Sequence, residues 1–242
     1  MAGDAADVKA ALVSCRGQVN KPVALIVGAG PGISAAFGEA LVADGYQVAL
    51  ASRSVEKLSP LARKMNAKAF EADASSPHSL LQLFTEVDRS LGEPEVVLFN
   101  PSARIRGDLL TLDIEAASAA IQTTAIGALV TAQEAARRML PKGRGSIFFT
   151  GATAGVKGFA RSSVFAMGKF AVRGLAQSLA RELGPKGIHV VHFVIDGGVV
   201  QGSQALDVLS PRAIALSYMA ALAQPVGAWS WELELRSYTE PF

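Results

Sequence analysis

Short apolar runs rich in β-branched residues alternate along the chain with segments of helical periodicity. This alternation constrains the fold most, because buried strands followed by helices predict parallel strands joined by crossover helices. No linker-like stretch divides the sequence, so it predicts one doubly wound α/β domain over residues 21–242, with a parallel sheet of about seven strands flanked by helices. The predicted strands are Val23–Val27, Gln47–Ala51, Ala67–Glu71, Val96–Phe99, Ser146–Thr150, Ile188–Ile195 and Glu232–Leu235.

The helical segments are bounded by recognisable start and stop signals. Ser76 is a predicted N-cap with Pro77 at the first helical position, and Pro141 ends the longest helix. Residues 1–20 are interpreted as a loosely attached N-terminal extension. The predicted helices are Ile33–Asp44, Val55–Met65, Ser76–Leu91, Leu112–Leu140 and Arg161–Leu183, with short helices from Ala205 onward.

Composition excludes several classes of protein. Half of the 242 residues are hydrophobic and 18% are charged, which excludes a disordered chain. The net charge of +2 with no Lys/Arg block indicates no nucleic-acid partner and no anionic membrane partner. Cys15 is the only cysteine, which favours a reducing, cytoplasmic location. The uncharged run Ala116–Gln133 is interpreted as a helix packed against protein rather than a membrane span.

A glycine cluster lies between the first strand and the first helix. Gly28, Gly30 and Gly32 precede Ile33, where the helix begins. Glycines permit a tight turn and let the backbone approach a pyrophosphate, while the helix N-terminus offers free N–H groups to the anion. The pattern predicts dinucleotide binding; the alternative is a glycine-rich turn that holds no ligand.

The spacing Gly-x-x-x-Gly from Gly28 to Gly32, with Ser34 where a third glycine would stand, resembles the short-chain dehydrogenase/reductase family. The resemblance runs from Val23 to about Val200, about three quarters of the chain. It implies a Rossmann-type domain that binds a nicotinamide dinucleotide and acts as an oxidoreductase on a small molecule.

Four further positions are candidates for cofactor binding. Arg53 ends the second strand where a carboxylate would hold a ribose 2′-hydroxyl, so NADP(H) is predicted in preference to NAD(H). The alternative is a solvated loop arginine. Asp73 matches the family aspartate that borders the adenine, and as a bare residue it equally suits a turn former or an N-cap. Asn100 keeps the first asparagine of the family Asn-Asn-Ala-Gly segment, and Val199 matches the nicotinamide amide position.

The resemblance places the family's catalytic tetrad on unusual residues. In the family a tyrosine moves the carbonyl proton, a lysine supports the tyrosine and the nicotinamide ribose, a serine orients the substrate oxygen, and an asparagine anchors a water. Lys169 matches the lysine, whereas Phe165, Ala152 and Thr124 occupy the tyrosine, serine and asparagine positions. Phenylalanine cannot donate a proton and alanine cannot form a side-chain hydrogen bond.

Two functional interpretations follow from these substitutions. One is an NADP(H)-dependent oxidoreductase with weak or unconventional hydride transfer to a small organic substrate. The other is a pseudoenzyme, a cofactor-binding relative that acts as a sensor, subunit or scaffold.

Other polar residues near the predicted strand ends leave alternatives open. Asp196 is interpreted as a proton carrier, a ligand for a substrate amine, or a turn former. Arg104 and Arg106 either attract an acidic substrate or are solvated loop charges. Tyr218 either points into the substrate pocket or packs in the core.

Two predicted helices bear on assembly, and the spacing of the histidines bears on metal binding. The small-residue faces of Ala116–Ala136 and Ala171–Ala180 lie on helices that build oligomers in the family, so a homodimer or homotetramer is expected. Burial of these faces against the sheet would give the same pattern. No residue spacing suggests a metal site, and the histidines are interpreted as structural: His78, His189 and His192.

Overall fold

A computed structural model describes residues 21–200 and 208–239, so the predicted extension at residues 1–20 lies outside the described residues. The described residues form a seven-stranded, all-parallel sheet in the order β3-β2-β1-β4-β5-β6-β7. This Rossmann-like architecture confirms the predicted fold class. The strands are β1 (Val23–Val27), β2 (Gln47–Ser52), β3 (Lys68–Glu71), β4 (Val96–Phe99), β5 (Gly145–Thr150), β6 (Ile188–Asp196) and β7 (Glu232–Arg236).

Helices cover both faces of the sheet. One core cluster joins the sheet to α3, α5 and α6, and the other joins it to α1, α2 and α7. β1 is buried along its whole length, as expected for a strand covered on both faces. The helices are α1 (Ile33–Ala43), α2 (Val55–Met65), α3 (Pro77–Ser90), α4 (Ile114–Ile121), α5 (Gly127–Met139), α6 (Ser163–Leu183) and α7 (Pro211–Leu222).

Local backbone chemistry fixes several element boundaries. The Ser76 hydroxyl accepts a hydrogen bond from the Ser79 N–H at 3.2 Å, which confirms the predicted N-cap of α3. Asn66 ends α2 in the left-handed conformation at φ 57°, so β3 begins at Lys68 rather than at the predicted Ala67. Arg161 is also left-handed, at φ 61°, which places the start of α6 at Ser163 rather than at Arg161.

The predicted single helix Leu112–Leu140 is wrong in two respects. The Asp113 carboxylate accepts hydrogen bonds from the Glu115 and Ala116 N–H groups, so α4 begins at Ile114. A π-helical segment, Gln122–Ile126, then separates α4 from α5. A hydrophobic periodicity marks which residues face the core, but it does not reveal one extra residue in a turn.

The segment from α4 to α5 passes close to the carboxyl end of the sheet. A methyl group at Gly127 would overlap the Ala74 carbonyl oxygen, so only glycine fits at this contact. Ile114–Lys142 is long and apolar enough to cross a membrane by length and composition, and 28% of its most apolar window is buried within the described fold. The helices thus retain an exposed apolar face.

Candidate cofactor and substrate site

The chain reverses its direction of travel across the sheet between β1 and β4, and the glycine turn follows β1 at this point. Gly28 has φ +75°, and a side chain there would lie 2.6 Å from Cγ of Pro101. The Gly28 and Ala29 N–H groups donate to the Ala51 carbonyl at 3.0 and 2.8 Å. The Asn100 side chain donates to the Gly28 carbonyl at 3.1 Å. The turn is therefore held by hydrogen bonds from both neighbouring strands, and the Asn100 side chain helps to fix the backbone at Gly28.

The rest of the turn is open. A Cβ built on Gly30 or Gly32 would meet nothing within 4 Å. Gly32 is the N-cap of α1, where no side chain caps the helix and the first turn, from Ile33, carries no acidic residue. Uncapped N–H groups at a helix N-terminus form a ready anion site. This turn, here called the cradle, therefore leaves the first N–H groups of α1 without a side-chain cap and leaves open space beside Gly30 and Gly32.

Two adjoining recesses, together called the glycine-turn groove, flank the turn. Their volumes are about 640 and 730 Å³, and they share Ala29, Ser52 and Arg53. Asp73 and Asn100 line the first recess. Lys57, which the sequence reasoning missed, lines the second recess beside Arg53. Two exposed cations therefore line this recess, Arg53 directly after β2 and Lys57 in the first turn of α2, where only Arg53 was predicted.

Asp73 forms the turn that follows β3. Its carboxylate accepts hydrogen bonds from the Ser75 N–H at 2.9 Å and from the Ser75 hydroxyl at 2.8 Å. These bonds lower the pKa of Asp73, and the positive charge of Arg53 adds to the effect. Asp73 is thus a turn former, as one interpretation expected. It also lines the glycine-turn groove, where a contact with the adenine stays a prediction.

Lys169 is almost fully buried on α6, with 3% of its surface exposed. Its ammonium group donates to the Thr150 carbonyl at 2.7 Å. Burial lowers the pKa of Lys169 to about 8, and the charge of Arg104 adds to this shift. The fold therefore holds a desolvated amine beside the end of β5, where burial of its charged form costs free energy.

Tyr218 does not face a pocket. Its hydroxyl lies 3.0 Å from the Thr150 hydroxyl, and its ring stacks on Phe193 with 3.9 Å between centroids. The side chain has no exposed surface. The core-packing interpretation of Tyr218 is confirmed.

A second cavity, here called the β5–β6 cavity, opens beyond the ends of those two strands and has a volume of about 590 Å³. Phe165 and Ala152 both line it, so the structure brings together the two positions that carry a tyrosine and a serine in the resembled family. Phe165 and Lys169 are four residues apart in α6 and share one side of the helix. The cavity surface at these positions is apolar.

Thr124 lies apart from this cavity, in the π-helical segment. It is 1% exposed, and its hydroxyl accepts a hydrogen bond from the Ala103 N–H at 3.1 Å. A side chain at Gly168 would lie 3.1 Å from the Thr124 methyl group. Thr124 therefore ties the segment after β4 to α6 rather than lining the β5–β6 cavity.

Three arginines line the β5–β6 cavity. The Arg104 guanidinium lies over the Phe165 ring, 4.4 Å from its centroid. Arg161, which the sequence reasoning did not single out, forms an ion pair with Asp108 at 3.2 Å. The Gly107 N–H donates to the Arg161 carbonyl at 3.2 Å, which ties the segment after β4 to the start of α6. Arg106 also lines the cavity.

The remaining candidates take structural positions. The Thr153 hydroxyl donates to the Asp196 carboxylate, and Arg236 lies 3.6 Å from it. Asp196 lines a separate recess of about 150 Å³, so its placement disfavours the proton-carrier and amine-ligand interpretations. Val199 forms a bridge with Leu209, and its predicted contact with a nicotinamide amide stays a prediction.

The histidines of β6 contact structural partners. His192 Nδ1 lies 3.0 Å from the Glu232 carboxylate, and His189 stacks on Trp229 with 4.7 Å between centroids. Burial lowers the pKa of both imidazoles. These contacts agree with the structural interpretation of both residues.

The family model for short chain dehydrogenases matches residues 22–207, and the chain belongs to that family. A short-chain dehydrogenase from Rhodopseudomonas palustris has a similar structure, with a TM-score of 0.81, 32% identity, and coverage of 90% of this chain and 99% of that one. A metagenomic short-chain oxidoreductase in complex with NADP has a TM-score of 0.79, 25% identity, and coverage of 89% and 96%. The sorbitol-6-phosphate 2-dehydrogenase of Escherichia coli is 27% identical over 202 residues, which are 80% of this chain and 78% of that enzyme.

The buried ammonium of Lys169 predicts a specific pH dependence of stability. Its pKa is lowered from 10.5 to about 8 in the folded state, so the unfolded state binds more protons between these two values. The free energy of unfolding of the cofactor-free protein should therefore rise between about pH 8 and pH 10.5, by about 3 kcal/mol from this group. Urea unfolding at several pH values measures the rise.

Two variants isolate this contribution. Lys169→Met should lack the rise, because it carries no titrating group there. Lys68→Met, which removes an exposed lysine, should keep it. Parallel pH profiles for Lys169→Met and the unmodified protein would show that Lys169 is not the titrating group.

Proposed function

We propose that this protein binds NADP(H) and performs weak or unconventional hydride transfer to a small organic substrate. The supporting observation is the contrast between the glycine-turn groove and the β5–β6 cavity. The glycine-turn groove keeps its open cradle, its uncapped helix and the cations Arg53 and Lys57. The β5–β6 cavity has apolar side chains at both positions that would contact a substrate carbonyl oxygen, Phe165 and Ala152.

Each part of the dinucleotide has a candidate partner. The backbone from Gly30 to Ile33 would hold the pyrophosphate, and Arg53 would hold the 2′-phosphate with Lys57 beside it. The remaining contacts would come from residues along the strand ends, with the NADP complex of the metagenomic relative supporting the choice of cofactor. These residues are Asp73 and Asn100 at the adenosine side, and Lys169 and Val199 at the nicotinamide side. When bound, the nicotinamide supplies or accepts a hydride.

The chain's own residues limit the chemistry at the other end. Reduction of a ketone builds charge on oxygen, which requires a proton donor and oriented hydrogen bonds. Phe165 and Ala152 provide neither, whereas the Lys169 amine can still hydrogen-bond a ribose. An activated C=C or C=N bond suits this site better, because its proton can come from solvent.

The second candidate function is that of a cofactor-binding pseudoenzyme acting as a sensor, subunit or scaffold. Its support is the contact between Lys169 and the Thr150 carbonyl. In this arrangement the Lys169 ammonium is held by the protein itself. Phe165 stands at the position of the family tyrosine, so Lys169 has no hydroxyl to activate there.

The role of Arg53 can be tested by cofactor titration. Arg53→Gln should weaken NADPH binding by about 10-fold to 100-fold, because a charge-assisted hydrogen bond to a phosphate is lost. NADH binding, which lacks that phosphate, should change less than about 3-fold. Calorimetric titration of both cofactors measures the difference.

The matched control is Arg63→Gln, which removes an arginine from the last turn of α2. It should leave both affinities unchanged. An equal loss for NADPH and NADH in Arg53→Gln would mean that Arg53 does not select the 2′-phosphate. Absence of binding of either cofactor to the unmodified protein would refute the proposed function in both its forms.

Restoring the missing hydroxyls separates the enzyme from the pseudoenzyme. Phe165→Tyr combined with Ala152→Ser places both groups in one cavity, so NADPH-dependent carbonyl reduction should increase by about 10²-fold to 10⁴-fold. A panel of ketones and aldehydes, followed by NADPH absorbance, measures the gain. Adding Lys169→Met to the double variant should abolish it.

The unmodified protein is tested beside it on activated C=C and C=N compounds. Turnover there, with little ketone reduction, supports a repurposed site. Carbonyl reduction that appears only in the double variant supports the pseudoenzyme. Faster ketone reduction by the unmodified protein would contradict both interpretations.

We also propose a homodimer or homotetramer in the cytoplasm, with residues 21–242 as its single domain. Four large apolar side chains are exposed: Ile126 in the π-helical segment, Leu129 on α5, and Met167 and Phe170 on α6. Large apolar side chains left exposed on several helical segments support an interface that covers them. The single cysteine and the family's soluble members support the proposed compartment.

The proposed interface predicts a clear mass change. Phe170→Glu, at a position that is 43% exposed, should convert the oligomer to a monomer because it buries a charge between copies. Leu81→Glu, on α3 and 46% exposed, should leave the mass unchanged. Sedimentation velocity measures both, and a monomeric unmodified protein would refute the proposed assembly.

A further inference from the structure

The charge of the β5–β6 cavity is unusual for a site whose catalytic positions are apolar. Arg104, Arg106 and Arg161 line it, and none of its lining residues in the described chain is acidic. Asp108 pairs with Arg161. Within residues 21–200 and 208–239, neither Arg104 nor Arg106 forms an ion pair. Among the described residues, the cavity therefore presents two cations, Arg104 and Arg106, with no acidic partner.

Arg104 is positioned rather than free. Its guanidinium lies 4.4 Å from the centroid of the Phe165 ring, and the negative face of an aromatic ring attracts a cation at this distance. Phe165 itself is buried, with 6% of its surface exposed, so the ring forms a fixed base for the guanidinium. A guanidinium stacked on a ring keeps its N–H groups at the edge available as donors.

The Arg104–Phe165 pair changes what the cavity can bind. A tyrosine hydroxyl at this position would be a neutral donor that can release a proton. An arginine side chain keeps its positive charge, so it can donate hydrogen bonds to an anion but does not transfer a proton to a substrate. A fixed cation suits a ligand that is charged before any reaction occurs.

We propose that Arg104, held on the Phe165 ring, binds an oxyanion group, so that the β5–β6 cavity takes small molecules carrying a carboxylate or a phosphate on an apolar body. Arg106 lines the same cavity and adds to the attraction. The apolar body packs against Phe159, Ala152 and Ala154, which form the uncharged part of the wall. This inference names the substrate class of the proposed oxidoreductase and rests on that proposal for its catalytic meaning, but the anion site exists without it.

The test compares matched pairs of ligands that differ only in charge. Acetate, crotonate and cinnamate are each titrated beside the corresponding amide, and phenyl phosphate is titrated beside phenol. Calorimetry is performed on the full chain, with and without NADPH. At least one anion should bind about 10-fold tighter than its neutral partner, because the neutral analogue forms no charge-assisted hydrogen bond. The preferred pair distinguishes a carboxylate substrate from a phosphate substrate.

Three variants locate the site. Arg104→Gln should weaken binding of the preferred anion by about 10-fold to 100-fold and leave the amide or phenol unchanged. Phe165→Leu, which keeps the charge but removes the ring, should weaken it by a smaller factor of about 3. Arg89→Gln, which removes an exposed arginine on α3, should have no effect. Circular dichroism and the melting temperature establish that each variant is folded.

The outcomes separate this inference from the proposed function. Equal binding of anions and neutral partners, no binding by any of the eight compounds, or an unchanged anion affinity in folded Arg104→Gln would each overturn the inference, while normal NADPH binding would leave the proposed function intact. Anion binding that depends on Arg104 in a protein that fails to bind NADPH would support the inference and refute the proposed function.

Discussion

Hydrogen bonding between parallel strands is the constraint on which the rest of the structure depends. Each strand must be followed by a connection that crosses a face of the sheet, because a parallel neighbour cannot be reached by a hairpin. All the strands therefore end at the same edge, and residues far apart in sequence meet there. Gly28 after β1, Arg53 after β2, Asp73 after β3 and Asn100 after β4 converge for this reason alone. The position of the glycine-turn groove is thus set by the topology of the sheet, and the individual side chains set only its chemistry.

Features that depend on local sequence were predictable. The alternation of buried strands and helices predicted all seven strands, each with boundaries within one residue of those observed. The Ser76 cap was predicted because serine is a preferred N-cap residue and proline is favoured at the first position of a helix. The meeting of Phe165 and Ala152 in one cavity was also expected, since the resembled family places its tyrosine and serine at these two positions.

Features that depend on packing between distant segments were not predictable. Lys57 and Arg161 gave no signal, because an arginine or lysine in a polar stretch usually indicates only a solvated surface. The stacking of Arg104 on Phe165 joins residues 61 positions apart and depends on the path of the segment after β4. Asp196 is the last residue of β6, but the direction of its carboxylate is set by Thr153 and by Arg236 on the neighbouring strand.

The π-helical turn at Gln122–Ile126 has a consequence for how this chain tolerates change. A turn closed by a bond from the Gly127 N–H to the Gln122 carbonyl contains one residue more than an α-helical turn. Deleting one residue there would restore a regular helix, and α5 would keep its rotation about the helix axis relative to α4, because the wide turn has absorbed the extra residue. Gly127 would then stay beside the Ala74 carbonyl, at a contact that has no room for a side chain. A homologous chain one residue shorter in this region can therefore lose that residue inside the turn, and a sequence alignment that opens the gap there keeps the residues of α5 on their own faces of the helix.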